Sequence, residues 1–167
     1  MSSDVPSHEL IVAETRGAKS QCFAVRTRVF FDEQEFPIST EFDEHDDNPA
    51  TGHILLRLTP SLTPIGTIRA IIPPGATYYK LTRLAVLKEY RQYRFGRALV
   101  HALHDWVRRH VAATQPDAAT AEIACHSQLY VKGFYAKFGY EPVGEQFIED
   151  GAPHQKMVLR LPLHPAA

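Results

Sequence analysis

Apolar and polar residues follow two different periods along this chain. Short segments with strand-like apolar runs predict seven strands, at 9–15, 53–59, 65–72, 80–87, 121–127, 140–147 and 154–161. In the fourth of these, the unbroken apolar run Leu84–Leu87 is typical of a strand that is buried on both faces. Prolines at both ends of PSLTP (60–64) predict a turn between the second and third strands.

Other segments have the helical period. Cys22, Val25, Val29 and Phe30 predict a helix over 19–34. After Gly96 an amphipathic stripe predicts a long helix that ends at TQPD (114–117), with apolar pairs Ala98/Leu99, Ala102/Leu103 and Trp106/Val107. A short helix is predicted over 129–139, capped by Gly139, and one helical turn is expected in the loop that runs to Pro49.

The order of these elements predicts the fold class. It reads strand, helix, loop, three strands, helix, strand, helix and two strands, which indicates an α/β (α+β) fold with a mixed sheet and helices on both faces. At 167 residues we expect a single domain over 1–167 that is large enough for a hydrophobic core. No internal repeat divides it.

Composition and charge narrow the class of protein. An apolar share of 44% and a charged share of 22% are those of a globular domain. We expect no membrane span, because no apolar run approaches the roughly 20 residues that a span needs. We expect no secretory signal, because the N-terminus MSSDVPSHEL has no basic region followed by an apolar one. Cys22 and Cys125 lie far apart without metal-type spacing, so we expect no metal and reduced thiols in a cytoplasmic protein.

Charge is unevenly distributed along the chain. Residues 32–47 hold eight acidic side chains and no Lys or Arg, whereas residues 80–109 hold eight basic side chains and two acidic ones. Such regions are either solvated faces or separate sites for a polyanion and a cation. We hypothesise that the acidic stretch, including Glu41, Asp43 and Glu44, selects a cationic substrate.

The junction at 86–107 joins a predicted strand to the long helix. The first N–H groups of a helix lack partners, so this turn is a potential anion site, and its arginines add donors suited to phosphate. It has neither the Walker pattern nor the G-x-G-x-x-G pattern. The turn reads RQYRFG over Arg91–Gly96.

This turn resembles the acyl-CoA pyrophosphate loop of the GNAT N-acetyltransferase superfamily, [QR]-x-x-G-x-[GA], with Arg94 in place of the middle glycine. TRLAVLKEYR (82–91) and GFYAKFGYEPVG (133–144) are similar to further family motifs. VFFDEQEFP (29–37) and EDGAPHQKM (149–157) resemble a bacterial-type subgroup with VFVxEQ and DxGIPHxxM motifs. The resemblance covers about 9–161 and implies a mostly antiparallel sheet of six to seven strands flanked by about four helices.

The resemblance implies acetyl-CoA as co-substrate and assigns residues to it. Pantetheine and thioester would be held by the backbone of Leu84, Ala85 and Val86, and an N–H group aimed at a developing oxyanion is worth several kcal/mol. The pyrophosphate would be held by the loop and helix start, namely Arg91, Gln92, Tyr93, Arg94, Phe95, Gly96, Arg97 and Ala98. Arg94 either turns outward or grips the cofactor from the rim.

Tyr135 aligns with a tyrosine that in many family members gives a proton to the departing thiolate, and it would also contact the cofactor. A phenol of pKa about 10 is a sensible acid for a thiolate of pKa about 8.5. Its alternative role is that of a core aromatic. Covalent catalysis through Cys125 is not expected, because its strand neighbours are apolar.

The base that deprotonates the acceptor stays open among three candidates, Glu33, His126 and His154. His126 also stands where many family members carry an asparagine that bonds the cofactor. Glu33, Gln34, Gln128 and His154 are expected to line the acceptor site. The acceptor is expected to be a primary amine, such as an amino sugar or polyamine, attacked in a ternary complex.

Three alternatives remain beside a small-molecule N-acetyltransferase. A protein lysine or N-terminus could be the acceptor, or the chain could be a non-catalytic acyl-CoA-binding domain. A nucleic-acid-binding module is disfavoured by the net charge of −1 and by the acidic stretch, so we expect no nucleic-acid partner. A homodimer is possible by resemblance to the superfamily.

Overall fold

The computed structural model describes residues 4–163. Its strands are β1 (His8–Val12), β2 (Gly52–Leu58), β3 (Pro64–Ile71), β4 (Tyr79–Val86), β5 (Thr120–Gln128), β6 (Glu141–Pro142), β7 (Phe147–Glu149) and β8 (Ala152–Pro162). Its α-helices are α1 (Arg16–Arg26), α2 (Ile38–Glu41), α3 (Phe95–Thr114) and α4 (Lys132–Ala136). A π-helix continues α1 over Thr27–Glu33, and 3₁₀ turns occupy Glu44–Asp47, Lys88–Tyr93 and Leu129–Val131.

The strands pair in the order β1-β2-β3-β4-β5-β8-β6, and β7 also pairs with β8. The pairing of β4 with β5 is parallel. The pairings β1–β2, β2–β3, β5–β8, β6–β8 and β7–β8 are antiparallel. The prediction of a mixed, mostly antiparallel sheet with about four helices is therefore confirmed.

The chain forms two compact units. The first contains the residues up to 70 together with 83–103, and the second contains 71–82 together with the residues from 104 onward. Strand β4 and helix α3 each contribute residues to both units. The prediction of a single domain over 1–167, which extends beyond the described residues, stays a prediction.

In the first unit, α1 packs on the strand β2. Thr15 caps the helix, and its side chain accepts a hydrogen bond from the Ala18 N–H at 3.1 Å. Ala18 and Cys22 are buried on the same face of the helix and cluster with Ala13 and Leu55. The apolar spacing that predicted a helix over 19–34 reflects the side chains that this packing buries. The helix begins earlier than predicted, at Arg16, and continues as the π-helix after Arg26.

One predicted strand is wrong. The segment 140–147 forms two short strands, β6 and β7, which raises the number of strands within residues 4–163 to eight. Between them Gly144 has a φ of 75°, which ends the extended backbone. The Gln155 side-chain amide donates to the Val143 and Gly144 carbonyls at 3.0 and 3.1 Å and holds the bend.

The turn EDGAP, in contrast, is where the sequence predicted it. Asp150 and Gly151 have φ values of 50° and 78°, the conformation of a type I′ hairpin turn. Glu149 pairs with Ala152 and Phe147 with His154 across this hairpin. The Asp-Gly pair therefore fixes the register of β7 on β8.

Buried and partly buried charges connect four segments of the first unit. Arg26 is 1% exposed and donates to Glu41 at 2.6 Å and to Asp46 at 2.7 Å. Its guanidinium also lies over the rings of Phe23 and Phe42.

A second buried arginine, Arg69, shares one of these carboxylates. It donates to Asp46 at 2.9 Å and to Asp43 at 2.8 Å. Arg83 lies 3.5 Å from both Glu41 and Asp43.

This charge cluster (Arg26, Glu41, Asp43, Asp46, Arg69 and Arg83) corrects the hypothesis that the acidic stretch selects a cationic substrate. Glu41 and Asp43 already face arginines of the same unit, so they are internal counter-charges. Glu44, the third residue of that hypothesis, is exposed, and its contact is with His45 at 3.8 Å. The sequence showed the excess of carboxylates but not the arginines brought to them by folding.

Asp46→Asn tests the weight of the cluster. Hydrogen bonds from Arg26 hold the pKa of Asp46 below its ordinary value, against the effect of burial. Removing one partner of a buried ion pair costs about 3–5 kcal/mol, and we expect that loss in the free energy of unfolding at pH 7. The contribution is fully present above the unfolded pKa of about 3.9 and is lost as the pH falls through the folded value.

Urea unfolding measured from pH 7 to pH 3 provides the check. Asp47→Asn, at the exposed neighbouring carboxylate, is the matched control and is expected to change stability by less than about 0.5 kcal/mol. Equal stabilities of the two variants would contradict the importance of the cluster.

Candidate active site

The strand β4 leads into α3 through a 3₁₀ turn and one left-handed residue. The Leu87 N–H donates to the Ile65 carbonyl at 2.8 Å and holds the end of the strand. The turn Lys88–Tyr93 follows, and Arg94 then has a φ of 58° immediately before α3 begins at Phe95. The strand, turn and helix predicted from the sequence are all present, with the helix starting one residue before Gly96.

Arg94 stands where the resembled loop has a glycine. Its left-handed backbone, with a φ of 58°, explains why the motif has glycine at this position. A left-handed conformation is the one that glycine adopts without cost and other residues at roughly 1–2 kcal/mol. The Arg94 side chain is exposed, and the structure gives it no hydrogen bond or ion pair within residues 4–163. The chain keeps the backbone of the motif while changing the side chain.

The start of α3 has the chemistry of an anion site. In a helix of 20 residues the first N–H groups lack intrahelical partners, here those of Phe95, Gly96 and Arg97. The Ala98 N–H, included in the predicted cradle, already donates to the Arg94 carbonyl at 3.3 Å. Arg94 and Arg97 are exposed beside these groups. These residues fit a pyrophosphate.

Two predicted site residues pair with each other instead of standing separately. The Arg91 guanidinium donates to both carboxylate oxygens of Glu33 at 2.5 Å and to the Val86 carbonyl at 2.9 Å. The hydrogen bond from Arg91 lowers the pKa of Glu33. A carboxylate held in this way is a weak proton acceptor. Arg91 ties the turn to the end of β4 and to the π-helix.

A second left-handed residue precedes the predicted thioester segment Leu84–Val86. Arg83 has a φ of 56° and donates to the Thr40 and Glu41 carbonyls, each at 3.1 Å. Because its side chain also belongs to the charge cluster, an ion-pair network holds an unfavourable backbone conformation inside a strand. Ala85 and Val86, which follow it, are buried.

In the second unit Tyr135 is buried on α4. Its ring contacts those of Phe134 and Tyr140 edge-on, at centroid distances of 5.1 and 5.7 Å. Burial raises the pKa of Tyr135, so the phenol holds its proton at neutral pH. Burial also raises the pKa of Cys125 to about 12, which leaves it a poor nucleophile.

The two candidate histidines meet at one carboxylate. The Nδ1 atom of His126 lies 3.0 Å from Glu149 Oε1, and the Nε2 atom of His154 lies 3.9 Å from Oε2. The His126 side chain is 28% exposed, whereas that of His154 is 8% exposed. Gln128 pairs with His154 in the ladder of β5 and β8, so these predicted residues share one strand end.

The remaining predicted acceptor residues belong to the first unit. Gln34 is exposed and ends the π-helix, where its N–H donates to the Val29 carbonyl at 3.0 Å. Glu33 precedes it and is committed to Arg91. The structure does not group these two with Gln128 and His154 in one unit.

Sequence reasoning missed one residue in each unit, Arg83 in the first and Glu149 in the second. Glu149 was part of the motif EDGAPHQKM, and an Asp-Gly hairpin would have predicted that it lies near His154. Arg83 gave no such signal, because neither its left-handed backbone nor its distant partners can be read from local pattern.

The comparison with protein families settles the class. The acetyltransferase (GNAT) domain matches residues 48–161. The chain belongs to the GNAT acetyltransferase family. It is therefore an enzyme of the N-acyltransferase class, as its motifs predicted.

Relatives and solved structures agree with this family. A Bacillus subtilis (strain 168) protein that bears an acetyltransferase name is 36% identical over 135 residues, 81% of this chain and 84% of the relative. The crystal structure of a Lactobacillus plantarum protein described as an N-acetyltransferase is 28% identical, with a TM-score of 0.76, and the match covers 93% of this chain and 99% of that one.

A more distant structure carries a ligand. The match to an aminoglycoside 6′-N-acetyltransferase complexed with coenzyme A has a TM-score of 0.67 at 18% identity and covers 95% and 99% of the two chains. It shows a shared fold. Within residues 4–163, no helix is long and apolar enough to cross a membrane. No group of three or more His, Cys, Asp or Glu side chains in that range could hold a metal ion.

Arg94→Gly tests the conformation of the loop. Glycine removes the left-handed strain of roughly 1–2 kcal/mol but loses more chain entropy, so we expect a gain of up to about 1 kcal/mol in the free energy of unfolding. Arg97→Gly, three residues on and inside α3, is expected to lose about 1 kcal/mol. Urea denaturation measures both, and a loss in both variants would contradict a left-handed Arg94.

Proposed function

We propose that this chain transfers an acetyl group from acetyl-CoA to a small primary amine within a ternary complex. The observation that carries the proposal is the start of α3, where the backbone N–H groups of Phe95, Gly96 and Arg97 follow a left-handed Arg94. Backbone donors and the helix dipole together favour a phosphate group there. Acetyl-CoA would supply the acetyl group as a thioester.

The chain's own residues divide the remaining work. The loop and helix start, Arg91–Arg97, hold the pyrophosphate, and the backbone of Leu84–Val86 holds the thioester and stabilises charge on its oxygen. Tyr135 contacts the co-substrate and gives a proton to the departing thiolate. Its retained proton supports this role, whereas the pKa raised by burial makes the phenol a weaker acid until charge develops on the sulfur. Gln34, Gln128 and His154 line the acceptor site.

The acceptor must lose a proton before it attacks, because an ammonium has no lone pair. Of the three candidate bases, His126 suits this role best, because its ring is partly exposed and is held by a carboxylate. Glu33 and His154 serve less well, the first because Arg91 lowers its pKa and the second because its side chain is almost fully buried. We propose His126 as the base.

We also propose that residues 1–167 act as one domain. The GNAT match over 48–161 runs through both compact units, and β4 and α3 are divided between them. The cytoplasmic location and a possible homodimer remain predictions from the sequence.

An acetyl-CoA consumption screen tests the function. Purified protein is given acetyl-CoA with panels of amino sugars, polyamines, amino acids and lysine-containing peptides, and released thiol is measured. We expect turnover with a small primary amine. Turnover with peptides alone would contradict the small-molecule acceptor, and the absence of acetyl-CoA binding by calorimetry would contradict the whole proposal.

Tyr135→Phe tests the proton donor. We expect turnover with the best amine to fall about 100-fold, because general acid catalysis contributes on this order, while acetyl-CoA affinity stays within about twofold. Tyr130→Phe, at a tyrosine that is 79% exposed, is the matched control and should keep full activity. Equal turnover in both variants would show that Tyr135 is only a core aromatic and not the proton donor.

A further inference from the structure

Glu149 is a carboxylate of the second unit that lies near two of its histidines, His126 and His154. It lies 3.0 Å from His126 and 3.9 Å from His154, and the ring of Phe147 packs edge-on against His126. The distance to His126 is that of a hydrogen bond, whereas the distance to His154 is too long for one. Glu149 therefore acts directly on His126.

The hydrogen bonds determine where the protons lie on both rings. A carbonyl oxygen only accepts, so the His154 Nδ1, 2.8 Å from the Ala152 carbonyl, carries a proton. An ionised carboxylate also only accepts, so the Nδ1–H of His126 donates to Glu149. The bond from His126 lowers the pKa of Glu149, in keeping with an ionised carboxylate. The neutral His126 ring then carries its lone pair on Nε2.

Rigid local structure fixes this arrangement. The type I′ turn at Asp150–Gly151 holds Glu149 at the end of β7, opposite Ala152. His126 is held in the long ladder of β5 and β8, where it pairs with Lys156. On its other side β5 pairs in parallel with β4, where Lys80 lies opposite Ala124.

The charges near the pair are few and of both signs. Lys156 faces His126 across the ladder, but its ammonium lies 5.5 Å from the Tyr78 ring centre. Lys80 and His154 act on Glu149 at longer range. A cationic acceptor that approaches His126 thus meets the field of Glu149 as well as those of the two lysines.

We propose that Glu149 is a positioning residue that orients His126 so that its Nε2 atom takes the proton from the acceptor ammonium. The inference rests on the proposed function and deepens it. One N–H bond of the ammonium breaks and one forms on Nε2, which gives an imidazolium stabilised by Glu149 and a neutral amine. The amine nitrogen then forms a C–N bond as the C–S bond breaks. The departing thiolate takes the Tyr135 proton, and the second N–H proton of the amine passes through water to the Tyr135 phenolate, so that the products are the amide and the thiol. The His126 proton passes to water after release.

Three variants at Glu149 and one control separate positioning from folding. Glu149→Gln keeps an acceptor for Nδ1–H but loses the charge, Glu149→Ala loses both, and Glu149→Asp restores the charge on a shorter side chain. We expect kcat to fall about 10-fold or more in Glu149→Gln and further in Glu149→Ala, with partial rescue in Glu149→Asp. Glu145→Gln, at an exposed carboxylate of the preceding loop, should match the wild type.

The pH profile is the readout that a purely structural role would not move. Without the carboxylate the imidazolium loses its stabilising charge, so the acidic limb of kcat/KM should shift to lower pH in Glu149→Gln and stay in place in Glu145→Gln. An unchanged acidic limb with unchanged kcat in Glu149→Gln would overturn the inference.

A measurement without turnover distinguishes this inference from the proposed function. Nitrogen-15 NMR of the imidazole of His126 should show the Nδ1–H tautomer in the wild type and a shift toward Nε2–H in Glu149→Ala. The Nε2–H tautomer in the wild type, or no change in Glu149→Ala, would overturn the role of Glu149 even if the enzyme acetylates amines. If no amine is acetylated, the proposed function fails while the tautomer still decides whether Glu149 orients His126.

Discussion

The interaction on which the first unit depends is the pairing of three guanidinium groups with three carboxyl groups away from water. Arg26 and Arg69 are 1% and 2% exposed, a state that isolated charges do not tolerate. Their partners Glu41, Asp43 and Asp46 come from the acidic segment, which is thereby fixed on α1, β3 and β4. A segment without a long helix or strand of its own receives a defined position through these contacts.

That cluster also acts on β4, the strand that leads to the turn Lys88–Tyr93. Arg83 is, with Asp43, one of its two partly exposed members, and it is the left-handed residue just before Leu84–Val86. The same unit has a second left-handed arginine, Arg94, before α3. One unfavourable backbone conformation thus lies just before the segment that we assign to the thioester, and the other lies just before the N–H groups that we assign to the pyrophosphate. Strain of this kind is typical of functional sites.

Much of this arrangement could be predicted from the sequence, because period and turn chemistry are local. The apolar spacing of α1 and α3, the Asp-Gly turn and the strand–turn–helix at 86–107 all follow from neighbouring residues. The family resemblance located the loop. The break between β6 and β7 was missed, because a single glycine within YEPVGEQF (140–147) does not show whether its φ is negative or positive.

The contacts that could not be predicted are those between distant residues. Arg91 with Glu33, and Glu149 with His126, join positions that are 58 and 23 residues apart. In both cases the charged residue types were visible, but their partners were not. The roles first assigned to Glu33 and Arg91 separately change once the two are paired, since each neutralises the other.

A crystal structure of the protein with coenzyme A bound tests the central claim most directly. The account predicts the pyrophosphate on the N–H groups of Phe95, Gly96 and Arg97, the pantetheine along Leu84–Val86, and positive φ values at Arg83 and Arg94. Coenzyme A bound elsewhere on the chain, or an extended Arg83 with the charge cluster intact, would contradict it.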